Sequence, residues 1–463
     1  MFSVTDTLKK FIQKSSRLDT LAKSFYYSLP PRLRFSRHFW TQLSFLEESE
    51  TWDKDRLETY QIEELKKFIT HAYHHTRYYK TLFDEHGIKP NDIQDVSDLK
   101  HIPLLSKEDV RDNFEQLRAR NVNSNKVRRQ STGGSTGIPV TFLTDAKREA
   151  REWAFIYTIW KRVGLRPKSR MAIIRGSAVP DPNKVPFIRY GPLLHIAPSR
   201  LTPDGLPSIL EELRKFKPDY LRLYPSTGTI ISEYMIEHAL PPIESLKAVL
   251  CGSEMLLDSQ RASIEKAFHT KVFSWYGASE KVVLAGECES SRMYHIFPEY
   301  GVTEIVAREN GEGEIVGTGF LNYLFPLIRY CTQDKGTIDF SSTCSQCGRR
   351  YPLLREVQGR LSEFIIDKTH NRIPLITFNL HNDSYSHLYA FQVYQDRPGK
   401  VIYRVSPKTT FDEEQEENLY RSLKRKLGDK TDIVIEKREH LEMTASGKIP
   451  IMIQKISPSE TLS

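Results

Sequence analysis

The nine residues Ser131-Thr132-Gly133-Gly134-Ser135-Thr136-Gly137-Ile138-Pro139 carry three glycines and four hydroxyl side chains. Glycine lets backbone N–H groups approach a ligand closely, and Ser and Thr add short hydrogen-bond donors. A loop of this composition can wrap an anion, although Gly and Ser runs are also common in flexible linkers. The basic segment 126–129 before the loop and the strand predicted over 140–143 after it favour a polyphosphate site. The order of a Walker A loop is absent.

Length and composition predict a soluble globular protein. A chain of 463 residues is long enough for two or three domains. Hydrophobic residues make up 39% and charged residues 27%, as is typical of such proteins. No apolar run reaches the length of a membrane span, and the N-terminus lacks the apolar core of a signal peptide. We therefore expect a cytoplasmic location.

The net charge of +8 is concentrated near the N-terminus, where residues 1–40 hold eight Lys or Arg against two Asp. Apolar residues in the same segment fall near helical spacing, which predicts a basic amphipathic helix. Such a helix can lie on an anionic membrane surface, here the inner face, or pack as an ordinary surface helix. Nucleic acid is not an expected partner, because no binding signature is present and the basic residues are not spread over a domain.

The helical front end is predicted over about 1–120, with a clear helical period over 62–73. His71 and His75 are spaced to share a metal ion, but packing or solvent exposure is the favoured interpretation. After the glycine loop, helices alternate with short apolar strands. The helices are predicted over 148–163, 206–216 and 257–268, and the strands over 170–175, 220–225, 248–251 and 272–276.

This alternation predicts an α/β layer architecture. In open α/β sheets, ligands bind beyond the C-terminal ends of the strands. Two of the predicted strands end in glycine-containing loops. The segments Gly252-Ser253-Glu254 and 277–280 are therefore candidate walls of one site.

An odd number of cysteines without a signal peptide argues against a disulfide framework. Cys344 and Cys347 form a C-x-x-C pair that can bracket one metal ion. A structural zinc site has four ligands, and upstream Cys288 and His295 supply a thiolate and an imidazole. Cys331 is a spare candidate. Structural zinc is favoured over free thiols at a surface turn or a redox pair.

Five segments, in order, resemble motifs of the adenylate-forming enzymes, the acyl-CoA synthetase superfamily. They are the loop 131–139, Trp275-Tyr276-Gly277-Ala278-Ser279-Glu280, Tyr330-Cys331-Thr332-Gln333-Asp334, Gly359-Arg360-Leu361-Ser362-Glu363 and Thr444-Ala445-Ser446-Gly447-Lys448-Ile449-Pro450. The tyrosine-rich front end and the Cys/His pattern look like the phenylacetate-CoA ligase family, in particular its capsular-polysaccharide-biosynthesis (CapK-type) branch. Members of that family are similar in carrying a Cys/His zinc site near the C-x-x-C.

The resemblance implies how ATP would be held. Residues 131–137 would hold the β- and γ-phosphates. Gly252, Ser253 and Glu254 would border the adenine. Tyr276, beside Gly277 in its motif, would lie against the adenine and the acyl pocket.

The remaining motif residues would serve the reacting groups. Ser279 would touch the α-phosphate, and Glu280 would hold Mg²⁺. Asp334 would bind the ribose hydroxyls, and Arg360 would lie near the ribose and phosphates at the domain hinge. Lys448 would reach the α-phosphate and the attacking carboxylate.

Three departures from the family pattern concern details of the site. Val140 stands where many members have lysine, Cys331-Thr332-Gln333 replaces Arg-Thr-Gly, and Glu363 replaces the hinge aspartate. The residues expected to bind the metal, the ribose, the phosphates and the carboxylate are retained. The sequence therefore predicts an active enzyme.

The resemblance implies an α/β fold in two parts. A large adenylation domain with mixed β-sheets and helices is predicted over 1–360, and a small mobile α+β domain over 361–463. The predicted activity is an AMP-forming ligase that activates a small carboxylic acid as an acyl-adenylate and transfers the acyl group to CoA. One alternative is transfer of an acyl or aminoacyl group to a sugar or lipid-linked glycan, and another is a nucleotide-binding module without turnover. The predicted cofactors are ATP, Mg²⁺ and a structural Zn²⁺.

Overall fold

The structure is a computed structural model that describes residues 24–121, 127–131, 140–175, 186–307, 313–340, 343–360, 364–374, 387–444 and 447–456. Residues 132–139 of the predicted phosphate loop lie outside the described residues. So do hinge residues 361–363 and most of the predicted N-terminal amphipathic helix. Among the helices that are described, none has both the length and the apolar character needed to cross a bilayer.

Several of the helices begin where a side chain caps the first turn. The α-helices of the described residues are α1 (Pro31–Arg34), α2 (Arg37–Ser49), α3 (Lys54–His75), α4 (Arg77–Glu85), α5 (Lys107–Asp112), α6 (Phe114–Leu117), α7 (Ala146–Lys161), α8 (Leu206–Phe216), α9 (Pro225–Glu237), α10 (Asp258–Phe268) and α11 (Glu413–Leu427). The side chains of Asp145 and Asp412 accept hydrogen bonds from the first turns of α7 and α11. These bonds satisfy backbone donors that a helix start leaves without partners.

The strands are short, apart from four of eight to ten residues near the C-terminal half. They are β1 (Arg128–Ser131), β2 (Thr141–Thr144), β3 (Met171–Ile174), β4 (Phe187–Tyr190), β5 (Leu193–Ile196), β6 (Tyr220–Leu223), β7 (Ala248–Gly252), β8 (Lys271–Gly277), β9 (Leu284–Glu287), β10 (Tyr294–Ile296), β11 (Gly301–Ala307), β12 (Gly313–Gly319), β13 (Tyr330–Asp339), β14 (Leu353–Arg360), β15 (Phe364–Ile366), β16 (Arg372–Pro374), β17 (Leu388–Arg397), β18 (Lys400–Pro407), β19 (Asp432–Lys437) and β20 (Met452–Gln454).

Internal contacts divide the chain into two compact units. The first unit consists of Met1–Arg34, Leu165–Ser274 and Ser362–Ser463, and the second of Phe35–Gly164 and Trp275–Leu361. A unit boundary falls beside residue 361. Because the C-terminal segment shares its unit with an internal one, division into an N-terminal and a C-terminal domain stays a prediction.

The first unit contains a sheet with strand order β4-β5-β3-β6-β7. Its strands are parallel, except that β4 runs antiparallel to β5. One face of this sheet packs on apolar residues of α8, α9 and α10, which form a buried core. The predicted strand-and-helix alternation is therefore correct here, and the C-terminal ends of the parallel strands meet at one edge.

The strand predicted over 220–225 is too long. It ends at Leu223, and Tyr224 precedes the first turn of α9, with Pro225 as its first residue. Proline suits that position because its fixed φ is helical and its missing N–H would have no helical partner.

The C-terminal part of the first unit is a four-stranded sheet with order β19-β18-β17-β20. The strands β17 and β18 are antiparallel, and the two outer pairs are parallel. Helix α11 buries Leu419, Leu423 and Leu427 in the core that the sheet shares. This arrangement is the predicted small α+β part of the fold.

The second unit joins an antiparallel sheet to the helical front end. Its strands lie in the order β9-β10-β14-β13-β12-β11, and the last residues of β8 pair with β9. Helix α3 contributes Leu65, Phe68 and Ile69 to a core with residues of the sheet. His71 Nε2 lies 2.8 Å from the carbonyl oxygen of Tyr323, which agrees with the packing interpretation of that histidine. The predicted fold class, α/β with mixed sheets, is confirmed.

Within the first unit, a buried ion pair joins Lys408, just after β18, to Glu233 of α9. Their side chains are 6% and 13% exposed. We expect Lys408→Met to lower the free energy of unfolding by about 3 kcal/mol, because it leaves a buried carboxylate without its cation. Urea denaturation followed by circular dichroism measures the change.

The double variant Lys408→Met/Glu233→Gln should recover part of that loss. Lys215→Met is the matched control, because Lys215 pairs with Glu211 at an exposed position where both side chains are more than 60% accessible. Its expected effect is below roughly 0.5 kcal/mol. Equal losses in the two single variants would contradict a stabilising role of the buried pair.

Candidate functional site

In the first unit, Lys448 lies against the C-terminal end of β7. Its Nζ donates a hydrogen bond to the carbonyl oxygen of Ser253, at 2.7 Å. Ser253 follows the last residue of β7 and has a left-handed backbone, with φ of 69°. The lysine also lies 5.3 Å from the centre of the Tyr224 ring. The structure therefore brings together Lys448 and Ser253, two of the predicted site residues.

The turn that carries Lys448 explains the glycine of its motif. The backbone N–H of Lys448 donates to Thr444 Oγ1, and the N–H of Gly447 donates to the carbonyl oxygen of Thr444. Gly447 has a φ of 80°, and a Cβ atom built on it would lie 2.6 Å from Pro198. Both the backbone conformation and the packing therefore require glycine here.

Glu254, the third residue of the predicted adenine border, lies at the N-terminus of α9. Its Oε2 accepts a hydrogen bond from the backbone N–H of Ser226, at 3.1 Å. Burial raises the pKa of Glu254, although the Ser226 hydrogen bond opposes the shift. Its Oε1 is buried and has no hydrogen-bond partner among the described residues.

Arg175 is a neighbour of this group that the sequence motifs do not include. Its Nη2 donates to Ser253 Oγ at 2.6 Å, and its guanidinium carbon lies 4.4 Å from the centre of the Tyr224 ring. The residue directly follows β3. A charged side chain at the C-terminal end of a buried parallel strand is the sequence signal that could have identified it.

In the second unit, Tyr276 and Asp334 are joined by a hydrogen bond. The Tyr276 hydroxyl donates to Asp334 Oδ2 at 2.8 Å. Burial and the neighbouring Asp334 carboxylate raise the pKa of Tyr276 well above its usual value, so the phenol stays protonated. In the β13–β14 pair, Asp334 lies opposite Arg360. The backbones of these two residues, both of which the resemblance places near the ribose, are therefore neighbours across the two strands.

Glu280, the predicted Mg²⁺ ligand, is buried and accepts a hydrogen bond at 2.6 Å from the hydroxyl of Tyr330. Tyr330 opens the motif that ends in Asp334, but the resemblance gave it no role. Gly277 and Ser279 of the preceding motif are exposed. The hydroxyl of Tyr330 thus orients the carboxylate of Glu280.

Gln333 stands where the motif that this segment resembles has glycine, and the structure shows which contacts hold it there. It has a φ of 65°, the conformation that glycine adopts without strain. Its N–H donates to Glu314 Oε1, and its side-chain oxygen accepts from Lys107 Nζ, both at 2.8 Å. These contacts hold the turn of the motif in place of the glycine.

Ser131 is the one residue of the phosphate loop that is described. The antiparallel β1–β2 pair places it opposite Thr141, and their hydroxyl oxygens are 3.0 Å apart. The residues that flank the glycine-rich loop are therefore neighbours. The phosphate-binding role of residues 132–137 stays a prediction.

A second constellation in the second unit consists of Cys288, His295, Cys344 and Cys347. One ligand atom from each residue lies within 4.8 Å of all the others. The sulfurs of Cys288 and Cys344 are 4.0 Å apart, and Cys347 Sγ is 3.3 Å from His295 Nε2. Two thiolates on one tetrahedral zinc ion are about 3.8 Å apart, so the spacing fits a metal and excludes a disulfide.

The surroundings of this Cys/His cluster also fit a closed structural site. His295 lies on β10 between β9 and β14, and three of the four residues are buried. Burial lowers the pKa of His295 to about 3, which keeps the imidazole neutral and able to bind metal. For Cys344, burial opposes ionisation, but the backbone N–H groups of Cys347 and Gln346 outweigh it and lower the pKa.

The spare candidate Cys331 is not part of the Cys/His cluster. It lies buried on β13, paired with Val316 of β12. Its N–H donates to the carbonyl oxygen of Leu105. Three cysteines and one histidine therefore complete the candidate metal site.

Known proteins resemble this chain in sequence and in fold. The CapK C-terminal domain family matches residues 366–455. Protein CapK of Staphylococcus aureus is 26% identical over 302 residues, 64% of this chain and 65% of CapK, so the match spans slightly less than two thirds of that protein. A phenylacetate-coenzyme A ligase of Thermus thermophilus is 25% identical over 346 residues, 71% of this chain and 75% of the ligase.

The fold likeness extends over nearly the whole chain. A crystal structure of 2-hydroxyisobutyryl-CoA ligase, in the postadenylation state with R3-HIB-AMP, aligns with a TM-score of 0.68. The alignment covers 94% of this chain and 95% of that one, at 16% sequence identity. The overall fold is therefore that of an adenylate-forming ligase.

We expect protein purified without added metal to contain about one zinc per chain, because the Cys/His cluster supplies a complete tetrahedral ligand set. Mass spectrometry of the metal content measures this value. His295→Ala should lose most of the zinc and lower the thermal unfolding midpoint. Cys331→Ser is the matched control, since it changes a buried cysteine outside the cluster. Less than about half an equivalent of zinc in the unaltered protein would count against the site.

Proposed function

Because the chain is related to CapK and to phenylacetate-CoA ligases and has the fold of an adenylate-forming ligase, we propose that it is an AMP-forming acid ligase. It would activate a carboxylic acid with ATP as an acyl-adenylate. The thiol sulfur of CoA would then attack the acyl carbon to form a thioester, and AMP would leave.

The observation that carries this proposal is the position of Lys448. Its ammonium group is held at the C-terminal end of a parallel strand by the Ser253 carbonyl oxygen. Ligands of open α/β sheets bind at this edge. A lysine in a solvated turn would have no need of such an anchor or of the tight packing at Gly447.

The chemistry explains why a cation is needed there. The acid's carboxylate oxygen would attack the α-phosphorus of ATP, and the bond to pyrophosphate would break. Two anions must approach while negative charge builds on the leaving group, so a fixed cation lowers the barrier. Lys448 can provide this charge without reorganisation, because its position is already fixed by Ser253.

The second unit contains two carboxylates of the kind that would suit a nucleotide and its metal ion. Asp334 can accept hydrogen bonds from ribose hydroxyls, and the Tyr276 hydroxyl orients that carboxylate. Glu280 is a carboxylate of the kind that Mg²⁺ prefers, and Tyr330 orients it. Bound Mg²⁺ would supply positive charge to the phosphates.

The two main versions of this proposal differ in the molecule that accepts the acyl group. CoA is favoured because the phenylacetate-CoA ligases are among the relatives. The alternative, transfer of an acyl or aminoacyl group to a sugar or lipid-linked glycan, rests on the resemblance to the capsular branch. A nucleotide-binding module without turnover is the third interpretation.

Pyrophosphate release from ATP and Mg²⁺ across a panel of carboxylic acids tests the proposal. The panel covers aryl acids, fatty acids, amino acids, hydroxy acids and dicarboxylic acids, with hydroxylamine as a trap and with or without CoA. Release that depends on one acid establishes adenylation, and a further rise with CoA favours the thioester product. Bound ATP without release for any acid would contradict the ligase proposal.

We expect Lys448→Ala to slow adenylation by about 100- to 1,000-fold, the effect of removing one fixed group that stabilises transition-state charge. Acid-dependent exchange of labelled pyrophosphate into ATP measures this half-reaction. Lys455→Ala is the matched control, because Lys455 lies on the same segment and is exposed. Unchanged exchange in Lys448→Ala would mean that another residue supplies the charge.

We expect Glu280→Gln to raise the Mg²⁺ concentration for half-maximal exchange by about tenfold, because a neutral amide is a poorer ligand for Mg²⁺ than a carboxylate. A Mg²⁺ titration at saturating ATP measures the shift. Tyr330→Phe, which keeps the carboxylate but removes its hydrogen bond, should shift the midpoint less. An unchanged midpoint in Glu280→Gln would remove Glu280 from the metal site.

A further inference from the structure

Two cations share one serine at the C-terminal end of β7. Lys448 Nζ contacts the Ser253 carbonyl oxygen at 2.7 Å, and Arg175 Nη2 contacts Ser253 Oγ at 2.6 Å. The two charges are therefore within about 9 Å of each other, since the two oxygens of one serine are separated by only a few bonds. Both cations also lie near the ring of Tyr224, at 5.3 Å and 4.4 Å.

Arg175 has unused hydrogen-bonding capacity. Among the described residues it forms no ion pair, and its Nη1 is buried without a hydrogen-bond partner. A buried donor without an acceptor costs about 1–3 kcal/mol, more when it is charged. Its position is therefore explained best by a ligand that supplies the acceptor.

The surroundings of Arg175 are positive. The β3–β6 register pairs Ile173 with Arg222, so both arginines point to the same face of the sheet at successive positions. Burial and the charge of Arg175 lower the pKa of Arg222 to about 9. Glu254 is the nearby acid. Burial raises its pKa, while the charges of Lys448 and Arg175 oppose that shift. Two further cations, Arg222 and Lys448, lie near Arg175, and their charge would stabilise an anion beside it.

Lys448 and Arg175 have different tasks if the ligase proposal is correct, and the role inferred for Arg175 rests on that proposal. Lys448 would hold the carboxylate that reacts with ATP. Arg175 then lies at a distance from Lys448 that a short aliphatic chain can span. Both side chains contact Ser253 and the ring of Tyr224. A planar guanidinium suits a carboxylate, which it can bind through two parallel hydrogen bonds.

We propose that Arg175 binds a second anionic group of the acid, so that the enzyme selects acids with two carboxylates over matched monocarboxylic acids. This class includes aliphatic dicarboxylic acids and acidic amino acids. The aromatic ring of Tyr224 would contact the carbon chain that separates the two carboxylates.

Pyrophosphate release with matched acid pairs tests this specificity. Succinate is compared with butyrate, glutarate with pentanoate, and adipate with hexanoate. Aspartate and glutamate are compared with asparagine and glutamine, whose side chains carry no charge. For at least one pair, kcat/KM of the unaltered enzyme should be about tenfold or more higher for the acid with two carboxylates. Arg175→Met should lower that value by about 10- to 100-fold and leave the monocarboxylic acid within twofold. Arg175→Lys should recover part of the difference, because it keeps the charge and loses the fork geometry.

The KM for ATP shows whether Arg175 binds a carboxylate of the acid or a phosphate of ATP. It should stay within twofold in Arg175→Met, whereas a tenfold increase would assign the guanidinium to a phosphate and overturn the proposal. A merely structural role would lower kcat/KM for both members of a pair equally, which would also overturn it. Turnover of monocarboxylic acids alone would refute the specificity but leave the ligase proposal intact. No release with any acid would refute both.

Discussion

The hydrogen bond between Lys448 and the Ser253 carbonyl oxygen is the interaction on which the catalytic interpretation depends. A flexible lysine side chain loses conformational entropy when it is fixed, so an anchored lysine implies a task for its charge. The anchor itself is unusual, since Ser253 has a left-handed backbone directly after a buried strand. Residues in this conformation persist only where the surrounding structure compensates for the strain, and they cluster at functional sites. Lys448 and Arg175 both contact this residue and contribute to that compensation.

The second unit uses the opposite electrostatic arrangement. Glu280 accepts a hydrogen bond from the hydroxyl of Tyr330, and Asp334 accepts one from the hydroxyl of Tyr276. A phenol orients a carboxylate without neutralising its negative charge, whereas a lysine or arginine would pair with that charge.

The sequence predicted the strands β3, β6 and β7 and the helices α8 and α10 of the first unit, because these strands are short apolar runs and these helices are amphipathic. It did not predict β4, β5 or α9. Helix α8 has the predicted bounds, and the strand at 220–225 failed only where Pro225 starts a helix. The Cys/His cluster was predicted because C-x-x-C spacing is a local signal. Arg175 and Tyr330 were missed as site residues because their importance comes from partners 78 and 50 residues away along the chain. Such partners follow from the tertiary fold, which local periodicity does not encode.

Two positions at which the motifs that this chain resembles have glycine show why one departure is tolerated and another would not be. Gly447 and Gln333 both have positive φ, at 80° and 65°. At Gly447 a side chain would collide with Pro198, so the residue that carries Lys448 into place has no alternative. At Gln333 the side chain has room and finds a donor in Lys107, which offsets a strain of about 1–2 kcal/mol for a left-handed residue. Gln333 is therefore compatible with the turn before Asp334, because its backbone N–H and its side chain both form hydrogen bonds that hold the turn.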